Sequence, residues 1–364
     1  MSDIRTSGKP YILMAGPDRS VHGGISAVVN GYFDAGLGRD VDLHYIGTMK
    51  EGSKLYKLFV ALGAYVRFLS QLKKADIVHI HVASDSSFIR KSFFVRAAYK
   101  RRKHIIIHQH GGDLKNWIRN GGEKRLMMVR RILGMADRII VISDIHMKII
   151  CELFDDGSDI REKIILLPNS VKIPSGIGDL SQKEKNSLLF LGRICKDKGI
   201  VELTEAIRQV KKTYPDVKLK VGGIYEEDLK EIVESEPDNI EYVGWVEGDE
   251  KDKLLSSSEI YVLPSYYEGQ PVSVLEAMAA KCLVIASDVG GIPMMIKDHE
   301  TGLLVTPGDT ASLSQAIDMA LSEEFSEDRV RICEAARQKT EQEYDIKTCI
   351  DKILRLYNSL CDAV

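Results

Sequence analysis

Short apolar runs rich in β-branched residues recur along this chain, and a stretch of helical periodicity follows most of them. Tyr11-Ile-Leu-Met-Ala, Asp76-Ile-Val-His-Ile-His, Lys103-His-Ile-Ile-Ile-His, Ala136-Asp-Arg-Ile-Ile-Val-Ile and Ile164-Ile-Leu-Leu read as strands in the first half. Leu188-Leu-Phe-Leu, Val217-Lys-Leu-Lys-Val, Ile240-Glu-Tyr-Val, Ile260-Tyr-Val-Leu and Leu283-Val-Ile-Ala do so in the second. Strands that are apolar throughout belong to sheets covered on both faces, and their alternation with helices makes the sheets parallel. The expected class is α/β, doubly wound, with ligands bound beyond the carboxyl ends of the strands. From Lys172 to Lys185 the chain turns polar and turn-rich, with Pro174, Gly176 and Gly178. A domain boundary is expected there, giving domains 1–172 and 173–345.

At 364 residues and 44% apolar content, two cores can be filled. No apolar run follows Met-Ser-Asp-Ile-Arg at the N-terminus, and no uninterrupted 18-residue apolar segment occurs. The expectation is a cytoplasmic protein with neither signal peptide nor spanning helix. Six cysteines without a C-x-x-C pair predict reduced thiols and no zinc site. Charge is divided unequally. Residues 1–172 carry 28 Lys and Arg against 17 Asp and Glu, and the remainder 22 against 36. The surplus of 11 positive charges in the first part points to an anionic partner. No nucleic-acid recognition module is visible, so a phospholipid surface is the expected one.

The richest stretch runs from Ser265 to Ala280 and places Glu268 and Glu276 eight positions apart. Pro264 ends a strand, Ser265-Tyr-Tyr-Glu-Gly forms a loop, and Pro271 suits the first position of a helix. Val274, Leu275, Met278 and Ala279 follow at helical spacing. A helix start after a glycine loop offers free N–H groups and partial positive charge to a phosphate. Carboxylates beside it suit the hydroxyls of a ribose or hexose.

This stretch resembles the E-x7-E signature of retaining glycosyltransferases of family 4, which have the GT-B fold: Glu268-Gly269-Gln270-Pro271 and Glu276-Ala277-Met278-Ala279 match E-G-x-P-x-x-x-x-E-A-M-A. The resemblance implies that Glu268 contacts the donor sugar and Glu276 holds the nucleotide ribose. Arg193 and Lys198, in Gly192-Arg-Ile-Cys-Lys-Asp-Lys-Gly, resemble the family's diphosphate clamp. Gly23 and Gly24, after the first strand, resemble its first-domain Gly-Gly near the donor diphosphate. His110, opening His110-Gly111-Gly112-Asp113, matches the histidine that reaches the donor sugar. The final stretch 346–364 resembles the closing helix that packs back on the first domain. Gln270 departs from the apolar residue common in relatives, and Met294 and Met295 stand where Pro-Glu is frequent.

The resemblance implies two Rossmann-like domains facing across a cleft. The expected activity is transfer of a sugar, with retention, from a nucleotide diphosphate donor to a hydroxyl. UDP-sugar is the favoured donor and GDP-sugar the alternative, with no cofactor and no metal. His81, His108 and His110 invite a metal, but no carboxylate or thiolate partner accompanies them. The expected acceptor is a polyprenyl-diphosphate-linked saccharide in bacterial surface polysaccharide assembly, worked on at the inner face of the plasma membrane. A soluble acceptor and a non-catalytic nucleotide-sugar-binding subunit are the alternatives.

One segment has two readings. Leu55, Leu58, Phe59, Leu62, Val66 and Leu69 recur at helical spacing, flanked by Lys54, Lys57, Arg67, Lys73 and Lys74. They predict either a helix that covers the first sheet or an interfacial helix.

Overall fold

The computed structural model describes residues 8–111, 114–154, 160–175, 180–226 and 229–362. Gly112 and Asp113 of the strand-end loop, and Gly176 and Gly178 of the polar linker, lie outside the described residues. The chain divides into two compact units, residues 1–170 with 346–364, and residues 171–345.

The first unit holds a six-stranded parallel sheet of β1 (Tyr11–Gly16), β2 (Asp42–Gly47), β3 (Ile77–Val82), β4 (His104–Gln109), β5 (Arg138–Val141) and β6 (Ile164–Leu166), in the order β2-β1-β3-β4-β5-β6. Every residue of β1 and β3 is buried, as sequences apolar on both faces require. The edge strand β2 was not among the expected strands. It reads Asp-Leu-His-Tyr-Ile-Gly, is largely half-exposed, and lacks a continuous apolar run. The helix Lys54–Leu72 packs on this unit through Ala64, Phe68 and Leu72. Leu55, Leu58, Phe59, Leu62 and Val66 point outward and are exposed. The reading in which that stripe covers the sheet is therefore corrected. The sheet is met by the other face, and of the six stripe residues Leu69 alone packs against the core. The final helix, Ile346–Cys361, buries Ile353 and Tyr357 in the first unit.

The second unit holds β7 (Glu184–Leu191), β8 (Lys218–Gly222), β9 (Ile240–Gly244), β10 (Ser258–Leu263), β11 (Leu283–Ser287) and β12 (Leu303–Val305), all parallel, in the order β12-β11-β10-β7-β8-β9. The order reverses between β7 and β10, and a ligand crevice opens beyond the carboxyl ends of strands at such a reversal. The two ends of the unit are tied together, since Val171 N–H donates to Tyr344 O at 2.9 Å. The expected doubly wound α/β class is found in both units.

Candidate active site

Two chain turns leave the sheet of the second unit at its reversal, and each carries one half of the polar constellation. After β7 the chain passes Gly192, Arg193 and a 3-10 turn, Lys196–Lys198, before Gly199 opens the helix Ile200–Val210. Gly199 has φ 68°, and a Cβ there would lie 2.0 Å from Pro264 O. Only glycine allows this turn to lie against the loop after β10. Tyr266 N–H donates to Asp197 O at 2.9 Å and fastens the two turns.

The loop after β10 turns Glu268 inward. Its Oε1 accepts from Ser265 Oγ at 2.8 Å and from Lys198 Nζ. The side chains of Glu268 and Lys198 are 9% and 16% exposed, so this is a nearly buried ion pair whose members depend on each other. A further turn supports the loop from behind. Gly290 has φ 54°, and Cβ atoms on Gly290 and Gly291 would come within 1.7 and 1.9 Å of the carbonyl oxygens of Glu268 and Gly269. Gly291 N–H donates to Glu268 O at 3.3 Å. The Asp288-Val-Gly-Gly-Ile-Pro stretch therefore sets the backbone that presents Glu268.

The helix that follows runs Val272–Ala279, and Pro271 is its N-cap with φ −70° and ψ 121°. Pro271 thus precedes the helix rather than opening it, a one-residue correction. Glu276 lies in its second turn and accepts from Lys251 Nζ at 2.6 Å, reached from the helix Gly248–Ser257. Arg193 pairs with Glu226 at 2.7 Å in a half-exposed setting. Glu268 is close enough to act on the Arg193 charge. Gln270 is buried beside these groups. Arg193, Lys198, Glu268, Gly269, Gln270, Pro271 and Glu276 thus all fall in the second unit.

Gly23, Gly24 and His110 fall in the first unit. Gly24 opens the helix Gly24–Asp34 beyond β1, and a Cβ on Gly23 or Gly24 would meet nothing within 4 Å. Packing does not explain those two glycines. His110 belongs to a stack of four histidines from β3 and the end of β4. His79 rests on His81 at 4.6 Å between centroids, His81 on His108 at 5.0 Å, and His108 on His110 at 4.0 Å. His81 Nδ1 and His110 Nε2 share a proton at 2.7 Å, as do His79 Nδ1 and Tyr357 Oη at 2.7 Å. Burial holds His79 and His110 down at about 3, and burial with neighbouring imidazoles holds His81 and His108 well below their ordinary value. All four are neutral at neutral pH. Nitrogens of His79, His81 and His108 lie within 4.8 Å of one another. His79 spends one nitrogen on Tyr357 and the other, at 3.3 Å, on His108. His81 Nε2 and His108 Nε2 are buried without a hydrogen-bond partner among the described residues, so the stack is hydrogen-bonded at only some of its ring nitrogens.

Sequence reasoning passed over Ser265, Glu226, Lys251 and the support role of Gly290 and Gly291. Ser265 stood in the signature stretch itself. Lys251 is hidden in Gly-Asp-Glu-Lys-Asp-Lys, where nothing distinguishes it from a solvated charge.

Comparison with known proteins adds four findings. Residues 178–339 match the family described as glycosyl transferases group 1. The chain is 25% identical over 370 residues to an uncharacterized 41.2 kDa protein in the cps region of Klebsiella pneumoniae, covering 93% of this chain and 98% of that one. Among solved structures it resembles sucrose-phosphate synthase from Thermosynechococcus elongatus, with a TM-score of 0.76, 20% identity and coverage of 98% and 100% of the two chains. It also resembles Anabaena HepE in complex with UDP-glucose, with a TM-score of 0.73, 16% identity and coverage of 96% and 99%. The fold is GT-B-like.

Proposed function

Starting from a second unit of the group 1 glycosyltransferase type on a GT-B-like fold, we propose that the protein is a retaining glycosyltransferase of family 4. It moves a sugar from a nucleotide diphosphate to a hydroxyl. The observation that carries this reading is the Lys198–Glu268 pair beside Arg193, at the strand reversal where a parallel α/β sheet binds its ligand.

The chemistry asked of these residues is electrostatic. The bond from the anomeric carbon to the diphosphate oxygen breaks while the acceptor oxygen bonds to the same face of that carbon. The acceptor proton passes to the departing diphosphate. Negative charge grows on the leaving group, and Arg193, Lys198 and the N-terminus of the helix Val272–Ala279 are the groups that stabilise it. Each cation is held by a carboxylate, Arg193 by Glu226 and Lys198 by Glu268, so the diphosphate competes for charges that are already oriented. Glu268 orients the sugar hydroxyls and Glu276, set by Lys251, accepts from the ribose. Neither acts as a displacement nucleophile. By resemblance, Gly23 and Gly24 let the diphosphate approach the backbone and His110 contacts the donor sugar as a neutral donor or acceptor.

UDP-glucose bound to HepE supports a UDP-sugar, with GDP-sugar as the alternative. The cps-region relative and the basic first 172 residues support a lipid-linked saccharide acceptor in surface polysaccharide assembly at the inner face of the plasma membrane. Incubation with UDP-glucose and a polyprenyl-diphosphate-linked saccharide, with released UDP as the readout, tests the reading. UDP release that depends on acceptor supports it. No release from any UDP- or GDP-sugar favours a non-catalytic binding subunit.

A further inference from the structure

The helix Lys54–Leu72 is apolar on two opposite faces. One face, Ala64, Phe68 and Leu72, is fully buried in the first unit. The other carries Leu55, Leu58, Phe59, Leu62 and Val66, which are 71%, 56%, 72%, 55% and 66% exposed. Residues 55, 59, 62 and 66 recur at intervals of four, three and four, so they form one stripe along the helix. A surface helix of a soluble domain ordinarily turns such a stripe inward and leaves polar residues outside. Here the inward contact is made by other residues, and a contiguous apolar row faces out. Rows of this kind mark interaction sites.

Charge decides what the row meets. Lys54, Lys57, Arg67, Lys73 and Lys74 are exposed along the same helix and its end, and residues 54–74 include no Asp or Glu. Two copies of this face brought together would set ten cations against one another without a counter-charge. An anionic bilayer supplies both the apolar interior for the stripe and the negative surface for its lysines. Tyr56, 48% exposed beside the stripe, has the ring-and-hydroxyl character that suits the headgroup level. The next helix, Asp85–Lys100, packs against this one through Phe94 on Phe68 and Tyr65. It adds exposed Ile89 and Phe93, followed by Lys100, Arg101 and Arg102.

We infer that the outward stripe Leu55-Leu58-Phe59-Leu62-Val66 is a bilayer-insertion face that seats the first unit on anionic lipid. The helix lies in the plane of the interface with its lysines on phospholipid headgroups. This deepens the lipid-acceptor part of the proposed function and is independent of the donor chemistry of the second unit.

Vesicle flotation tests it, with phosphatidylcholine vesicles prepared with and without phosphatidylglycerol. The full chain should float with phosphatidylglycerol vesicles at low salt and do so less as salt rises. Leu55→Ser/Phe59→Ser/Leu62→Ser should reduce the floating fraction about tenfold at every salt concentration, since each residue removed is an insertion anchor. Lys54→Glu/Lys57→Glu/Lys73→Glu/Lys74→Glu should abolish the preference for phosphatidylglycerol. Because the changed side chains are exposed, UDP binding to the second unit should be unaltered in both variants, which separates failure of this inference from failure of the proposed donor chemistry. As a direct probe, Phe59→Trp should shift its emission to the blue on phosphatidylglycerol vesicles. A wild-type chain that stays soluble with anionic vesicles at low salt, or a Phe59→Trp emission unmoved by them, overturns the inference. So does light scattering that shows a wild-type dimer made monomeric by the serine variant, because the stripe would then be a contact between copies.

Discussion

The two units solve the same problem in opposite ways. Each is a parallel α/β sheet that buries polar side chains near the carboxyl ends of central strands. In the second unit those groups are charged and paired, Lys198 with Glu268. In the first they are the imidazoles of His79, His81, His108 and His110, stripped of charge by desolvation and stacked on one another. Burying a charge requires a partner, whereas burying a neutral imidazole requires only hydrogen bonds. In the proposed reading, the second unit trades that carboxylate, Glu268, for a phosphate.

The largest effects should come from breaking the charged arrangement. Lys198→Ala and Arg193→Ala should each lower turnover by two to three orders of magnitude, roughly 3 to 4 kcal/mol of transition-state stabilisation, measured as UDP release at saturating donor. Their effects on stability should differ. Lys198→Ala strands the nearly buried Glu268 and should cost about 3 kcal/mol in denaturant unfolding. Arg193 and Glu226 are half-exposed, so Arg193→Ala should cost less than about 1 kcal/mol.

Next comes acid sensitivity of the neutral stack. An unfolded chain takes up a proton on each histidine near 6.5, whereas the folded His79 and His110 refuse it until about 3. Stability from this source is thus complete above pH 6.5 and is lost as the pH falls through 6.5 towards 3. Each such histidine contributes a slope of about 1.4 kcal/mol per pH unit inside that window. Denaturant unfolding followed from pH 7 to pH 5 should show a steep loss, and His79→Gln should remove about one proton from its slope. A flat profile would mean that the stack is not buried and neutral.

Much of this was legible in the sequence. Strand and helix alternation marks both sheets because strands buried on both faces need no polar positions. Glu268 and Glu276 stood out because a glycine loop and a helix start surround them. Edge strand β2 did not, since half-exposure lets Asp42, His44 and Tyr45 interrupt its apolar pattern. The helix Lys54–Leu72 was legible as a helix but not in its orientation, because periodicity finds an apolar stripe without saying which way it faces. Nor could spacing show that Gly290 and Gly291 support the Glu268 backbone, or that Lys251 sets Glu276, because these partners meet only through the fold.

Smaller effects sharpen the division between the glutamates. Glu276→Ala should weaken free UDP and UDP-sugar alike by about tenfold, the loss of one or two hydrogen bonds to a charged group. Lys251→Ala should weaken both by a few-fold through loss of orientation. Smallest of all, EDTA should leave turnover unchanged, because in the proposed reaction cationic side chains take the role of a divalent ion. Loss of turnover restored by Mg²⁺ would contradict that assignment.

The central claim, that the ion-paired turns after β7 and β10 form the donor site, is tested most directly by calorimetric titration of UDP and of UDP-glucose into Glu268→Ala beside the wild-type chain. Glu268 is assigned to the sugar, so the variant should bind UDP at nearly wild-type affinity, its Lys198 being released to the diphosphate, and should lose the added affinity or the enthalpy conferred by the glucose. Equal weakening of UDP and UDP-glucose, or no change in either, would contradict the account.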